Sequence, residues 1–350
     1  VVPGLYDVTY EQLGELLGAE PAYRTRQVWD GLYRRGLLVA DMTDLPRPLR
    51  ERLHDELPVG LAVASRQECD RGLTVKWLWA LEDGARIESV LMRYPDRVTV
   101  CVSTQAGCAM ACEFCATGQA GFRRQLTSGE IVGQVLEAVR AAHPRRVSNV
   151  VFMGMGEPLA NYSGLMAAVR RLTGDVGMSA RHLTVSTVGI VPGIRRLAGE
   201  GLPVNLAVSL HAARDELRDQ LIPINRRYPL ALLAATCADY YETTGRRISF
   251  EWALIDQVND TPDDVAELAA YARELRAHVN LIPLNPTPGY AVRGTPPARV
   301  RAFCRELQAE GVNVTVRDTR GSDINAACGQ LAAGESVSVK VAPSRTRSAN

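Results

Sequence analysis

Three cysteines stand within eight residues, Cys108, Cys112 and Cys115, in the run Cys-Ala-Met-Ala-Cys-Glu-Phe-Cys. Thiolates are the protein ligands of iron–sulfur clusters, and this close spacing lets one loop wrap three corners of a four-iron, four-sulfur cube. A fourth local ligand is missing, so the fourth iron would be open to a substrate-like molecule, as an open metal position is in catalysis generally. Zinc fits less well, because a structural zinc site takes four ligands and no His or Cys stands at the partner spacing. The plain alternative is three buried thiols acting as small apolar side chains. Against it, four of the eight cysteines fall between residues 101 and 115. In a chain without secretory features, such clustering points to metal or catalytic chemistry rather than to a disulfide framework.

Other candidate groups stand where strands are expected to end. Gly156-Glu157 puts a tight glycine turn beside a carboxylate able to receive an ammonium, although alone it reads as an ordinary turn acid. Ser186, Ser209, Leu210, His211 and Asn285 occupy similar places. Singly, a strand-end Ser or Asn caps or turns the chain, and a lone His is structural. Cys328 falls in Asn325-Ala326-Ala327-Cys328-Gly329, a run suited to a mobile loop. Cys69, Cys237 and Cys304 match no role, and the last two fit apolar helix faces.

The elements that must carry these residues follow from periodicity. Residues 1–57 read as helical: Thr9 and Gln12 have capping-box spacing, and Val28, Leu32 and Leu37 continue the pattern. Residues 58–97 alternate, with Leu73, Val75, Trp77, Trp79 and Leu81 on one side. Glu82-Asp83-Gly84 then turns the chain into residues 86–91, a hairpin that carries Glu88. From residue 98 to 335, short β-branched runs (98–103, 149–153, 182–186, 204–210, 248–255, 279–284, 312–317) alternate with helical patterns such as 128–142, 229–243 and 262–277. That rhythm predicts an α/β fold, a partial (β/α)6 TIM-like barrel with its chemistry at the C-terminal strand ends. Residues 336–350 lose periodicity and read as a flexible tail.

Composition sets the remaining bounds. A hydrophobic fraction of 46% implies a real core. No apolar run is long enough to cross a membrane, and Val1–Asp7 lacks the features of a signal segment, so a cytoplasmic monomer is expected. Net charge is only +1 and does not announce a nucleic-acid binder. Arginine supplies nearly all the positive charge, Lys76 and Lys340 being the only lysines, and several arginines come in pairs. Arginine forks suit phosphate, but an arginine-rich codon bias explains such pairs equally well.

The text around the cysteines is narrower than the spacing alone. It includes Cys101-Val102-Ser103-Thr104-Gln105-Ala106-Gly107-Cys108, Phe152–Leu159, Ser186-Thr187-Val188-Gly189, Ser209-Leu210-His211, Ile282–Pro286 and Ala327–Leu331. Together these resemble, in order and over nearly the whole chain, the RlmN/Cfr family of radical S-adenosylmethionine (SAM) RNA methyltransferases. The resemblance implies a [4Fe-4S] cluster on Cys108, Cys112 and Cys115, with SAM chelating the open iron and yielding a deoxyadenosyl radical. It implies that Gly156, Glu157, Ser186, Ser209, Leu210, His211 and Asn285 line the SAM site. It further implies that Cys328 carries a methyl group as S-methylcysteine, that Cys101 resolves the enzyme–RNA adduct through a transient disulfide, and that Glu88 accepts a proton.

The implied substrates are an adenosine of 23S rRNA in the peptidyl-transferase region and one in the tRNA anticodon loop, methylated at C2. The implied partner is a flavodoxin- or ferredoxin-type electron donor. The helical unit would be an RNA-binding accessory, with Arg123, Arg124, Arg226 and Arg227 as phosphate contacts. Pro158 favours the C2-methylating branch over Cfr-type C8 methylation, the nearest rival. A non-catalytic iron–sulfur RNA-binding module and a glycyl-radical activase are the other readings, and the contexts of Cys101 and Cys328 argue against the last.

Overall fold

A computed structural model of the chain describes residues 4–285, 287, 292–317 and 320–331; the expected tail lies outside the described residues. The capping box forms as its spacing predicts. Gln12 N donates to Thr9 Oγ1 at 3.2 Å and Thr9 N to Gln12 Oε1 at 2.8 Å, opening α1 (Tyr10–Leu16). Helices α2 (Tyr23–Tyr33) and α3 (Arg47–Glu56) follow, and their apolar faces join one continuous core with the rest of the chain. The Trp29 indole donates to Asp175 at 3.0 Å, and the Arg171 guanidinium stacks over the rings of Trp29 and Tyr33.

Strands β1 (Leu61–Cys69), β2 (Thr74–Leu81) and β3 (Arg86–Arg93) form an antiparallel meander. The Trp77 and Trp79 alternation predicts β2 and β3, but β1 had no such signal, because residues 62–68 are exposed on both faces. Leu73, expected on the apolar side, precedes β2 and is exposed. Strand β4 (Val98–Cys101) pairs antiparallel with β3, Cys101 opposite Val90. From β4 onward the sheet is parallel.

A short ribbon of β5 (Gln105–Gly107) and β6 (Phe122–Gln125), with α4 (Ala116–Ala120) between them, precedes α5 (Ser128–Ala142). Then come β7 (Asn149–Phe152), α6 (Tyr162–Gly174), β8 (Leu183–Thr187), α7 (Val191–Ala198), β9 (Asn205–Ser209), α8 (Asp215–Leu221), α9 (Leu230–Thr244) and β10 (Ser249–Leu254). The chain continues through α10 (Pro262–Glu274), β11 (His278–Pro283), α11 (Pro297–Ala309) and β12 (Asn313–Val316). Strand order is β1-β2-β3-β4-β7-β8-β9-β10-β11-β12, so the partial barrel is an open sheet with the meander continuing its first edge. Several strands stop one or two residues short of the expected bounds, β9 at Ser209 rather than residue 210, and the residues released become loops at the C-terminal rim.

After β12 the described chain, residues 320–331, crosses back as a strap. Arg320 donates to the Arg93 carbonyl at 3.2 Å, and Lys76 Nζ reaches Asn325 O at 3.4 Å. Farther on, Ala116 N donates to Gly329 O at 2.8 Å and Thr117 Oγ1 to Leu331 O at 2.6 Å.

One carboxylate ties the amino-terminal unit to the start of α5. Asp7 accepts from Gly129 N at 2.7 Å, Thr127 Oγ1 at 2.9 Å and Ser128 Oγ at 3.3 Å, and so satisfies a free donor of the helix start from a distant segment. Asp7→Ala is expected to lower stability by about 1–2 kcal/mol, the usual worth of a helix cap. Urea unfolding checks this, and an unchanged midpoint would show that the contact is dispensable.

Candidate active site

The cysteine loop is shaped by one obligatory glycine. Gly107 closes β5 at φ +76°, and a Cβ there would lie 1.9 Å from the Gly121 carbonyl oxygen. The same oxygen accepts from Cys108 N at 2.8 Å, which fixes the first thiol. Ala111 turns the loop through the left-handed region at φ +54°, and Cys115 N donates back to Cys112 O at 3.2 Å. Cys108, Cys112 and Cys115 thereby line one cavity.

Burial pushes the Cys108 thiol up to about 12 and Cys112 well above its ordinary value, with Cys115 adding to both. Thiols in such surroundings are neutral until a cation stabilises their anions. Among the described residues no three His, Cys, Asp or Glu side chains converge on a single-ion site. A cube makes a different demand: each thiolate holds a different iron, so the sulfurs must border a volume rather than meet at a point. The donor set fits a cluster better than a lone ion.

The facing wall comes from the ends of β7, β8, β9 and β11. Gly156 has φ +99°, and a Cβ on it would lie 2.5 Å from Gln105, so the turn before Glu157 requires glycine. Glu157 is 2% exposed; its oxygens accept from Leu159 N at 3.0 Å and Val188 N at 2.9 Å. Burial outweighs these donors and raises its pKa to about 7. His211 sits at φ +57°, and Ala253 N donates to its Nδ1 at 2.8 Å, leaving its proton on Nε2. Burial holds its pKa down at about 3, so the ring is neutral, and Phe114 of the cysteine loop packs edge-on against it at 4.6 Å.

Gly156, Glu157, Ser186, Ser209, His211 and Asn285 all line the cavity that holds the three cysteines. Leu210 does not. It follows the last residue of β9, its side chain is fully buried in the core, and its backbone is taken by Glu251 O and the Arg218 guanidinium.

The two outer thiols, 227 positions apart in sequence, line one cavity. Cys101 ends β4 facing the barrel interior and is buried, whereas Cys328 rides exposed on the strap. Both line a second cavity of about 560 Å³, and Cys328 also lines the first. Burial drives Cys101 up to about 12; nearby Cys328 adds to the rise and Arg317 opposes it. Asn285 Nδ2 donates to Cys328 O at 3.2 Å. Glu88 is not brought to either cavity: it is 4% exposed on β3 and ion-paired to Lys76 at 2.9 Å.

Two arginines at the site escaped the sequence reading. Arg218 is fully buried; it donates to the carbonyls of Leu210, Ser209 and Val188 and to Asn225 Oδ1, bracing the rim of β8 and β9. Arg317 reaches Cys328 Sγ. Neither lies in a distinctive local motif, and only the contacts made by the fold separate them from the other arginines. Arg124 corrects an expectation in the other direction. It bonds Asp83 at 2.6 Å and Glu130 at 2.8 Å, which pins the β2–β3 turn to the start of α5 rather than leaving a free phosphate contact. Arg123, Arg226 and Arg227 are exposed.

Residues 102–269 match the radical SAM superfamily. A "Probable dual-specificity RNA methyltransferase RlmN" of Parafrankia sp. (strain EAN1pec) is 55% identical over 333 residues, 89% of this chain and 86% of the relative. A protein of the same name from Thermobifida fusca (strain YX) is 52% identical over 332 residues, 91% of this chain and 90% of the relative. The chain belongs to the RlmN family of radical SAM RNA methyltransferases. A crystal structure of a radical SAM methyltransferase from Sphaerobacter thermophilus superposes with a TM-score of 0.91 at 49% identity, covering 95% of this chain and 99% of that one. Membership implies a [4Fe-4S] cluster and SAM, and the cysteine-lined cavity has the donors for both. Among the described residues no helix is long and apolar enough to cross a membrane.

Arg218→Met is expected to cost roughly 3 kcal/mol, because it strands several buried acceptors at once. Thermal or urea unfolding measures the loss, and a change under about 0.5 kcal/mol, the scale of an ordinary surface substitution, would show that the rim does not depend on it.

Proposed function

We propose that this enzyme methylates C2 of an adenosine in 23S rRNA and in the tRNA anticodon loop, with the methyl carried on Cys328. One observation supports the reading above the others: Cys328 borders both the cavity of the three cysteines and the cavity of Cys101. Adenine C2 is not nucleophilic, so direct displacement on SAM cannot methylate it, and a covalent carrier divides the task. Cys108, Cys112 and Cys115 would hold the cluster, and Glu157 the SAM ammonium. When bound, SAM on the cluster supplies a methyl group in one encounter and a hydrogen-abstracting radical in the next.

The chain's own residues do the rest. Cys328 loses its proton and its sulfur bonds the methyl carbon as the methyl–sulfonium bond of SAM breaks and S-adenosylhomocysteine leaves. That carbon, once stripped of one hydrogen, bonds C2 of the base, and the adduct gives up one electron, for which the oxidised cluster that Cys108, Cys112 and Cys115 would hold is the acceptor. Glu88 takes the C2 proton, for which it must leave Lys76. The Cys101 thiolate attacks Cys328 Sγ; the S–S bond forms as S–C breaks, and the electron pair left on carbon takes a proton to complete the methyl group. A thiol reductant returns the disulfide to two thiols. A flavodoxin- or ferredoxin-type protein supplies the electron for radical formation. The helices of residues 1–57 serve as the RNA-binding accessory, with Arg123, Arg226 and Arg227 as its phosphate-contact companions on the catalytic unit.

Anaerobic reconstitution followed by peptide mass spectrometry tests the carrier: a methyl mark on Cys328 is expected, and cluster absorbance without it refutes the mechanism. Nucleoside mass spectrometry tests the position, since C8-methyladenosine as sole product would overturn the C2 assignment. The Glu157 role carries a pH dependence. The carboxyl must be ionised to receive an ammonium, and its pKa is about 7. Affinity for SAM is therefore full above that pH and lost as pH falls through it. Calorimetry should show Kd rising roughly tenfold from pH 8 to pH 6, and a flat profile would remove Glu157 as the acceptor.

A further inference from the structure

Arg317 follows β12 and lines both cavities. Its Nη1 lies 3.7 Å from Cys328 Sγ and 3.4 Å from Glu251 Oε2, and both terminal nitrogens lie 3.6 Å from the Met153 thioether. Glu251 is an anchor rather than a mobile partner. It is 4% exposed on the interior face of β10, and its other oxygen accepts from Asn280 Nδ2 at 2.9 Å and Ser249 Oγ at 3.0 Å. A carboxylate so held fixes the guanidinium it pairs with. Cys101 also lies close enough to feel the charge of Arg317, and Arg317 to feel both thiols.

We infer that Arg317, clamped on Glu251, is the positioning residue for the outer thiols: it holds the Cys328 sulfur at the wall between the cavities and offers its charge to whichever of Cys328 and Cys101 is ionised. This rests on the two-thiol reading above, which needs a thiolate twice, first on Cys328 and then on Cys101. A guanidinium suits both occasions because it stays charged and presents several donors from one plane. The Met153 thioether packs against both terminal nitrogens and holds the half-buried guanidinium from its other side.

The test uses the full chain with its cluster reconstituted anaerobically, as wild type, R317M, R317K and E251Q. Two rates are read at fixed neutral pH by peptide mass spectrometry: carbamidomethylation of Cys328 by iodoacetamide, and formation of the Cys101–Cys328 disulfide with diamide, which takes up two electrons and two protons from the thiol pair. Alkylation reports the thiolate. In R317M both rates should fall about tenfold, the effect of one unit in thiolate stability. R317K should recover most of the loss, E251Q should fall between, and Cys304 should react alike in all four.

Rates in R317M within twofold of wild type overturn the inference. So does R317K behaving as R317M, which would mean packing alone, and so does a large loss of RNA affinity with the thiol rates intact, which would assign Arg317 to RNA. If wild-type protein with SAM never gains a methyl on Cys328 while the thiol rates still follow Arg317, the carrier reading falls and the Arg317 assignment stands.

Discussion

The site depends on a clamp between the start of α4 and the strap, two segments that have no sequence relation to each other. The Gly329 carbonyl accepts from Ala116 N, directly after the third cluster-loop cysteine, and the Leu331 carbonyl accepts from the Thr117 hydroxyl. Without these bonds the strap would have unpaired backbone groups beside a cavity, a cost that no side chain there offsets. With them, Cys328 is carried to the border of the cysteine cavity, and Asn285 fixes its carbonyl from the far side. A short strap bonded at both ends can place an exposed thiol against a buried one while leaving its middle open to a substrate.

Charge is distributed with the same economy. The rim of β8 and β9 is braced by Arg218, which turns four acceptors inward, and the interior of β10 to β12 is braced by Glu251 with Asn280 and Arg317. Buried ion pairs and guanidinium–carbonyl bonds are weak sources of net stability but costly to break. They therefore act as positional constraints, and they hold the polar wall of the cavity where an apolar core could not.

The antiparallel meander lengthens the barrel sheet and brings Glu88 near, but not onto, the cavity. Arg124 ties its turn to α5, and Lys76 joins Glu88 on one side and Asn325 of the strap on the other. The Lys76 ammonium therefore ties the Glu88 carboxyl group to the strap through one side chain.

By itself the sequence determined the three-cysteine loop, the βα rhythm and the family. Three thiols at fixed local spacing, and strands and helices with their own periodicities, are properties of short stretches that need no distant partner to be read. The glycine before Cys108 and the Gly156-Glu157 turn were legible for the same reason. Strand β1 was not, because a strand exposed on both faces has no alternation to read. Only the tertiary structure decided which arginines serve the site: buried Arg218 and half-buried Arg317 differ from surface arginines in what surrounds them, not in what flanks them. It also separated Leu210 from its neighbours Ser209 and His211, sending its side chain into the core. Above all it brought Cys101 and Cys328 to one cavity, since a contact across so many residues is set by the closing of the sheet and the path of the strap, neither of which any local stretch encodes.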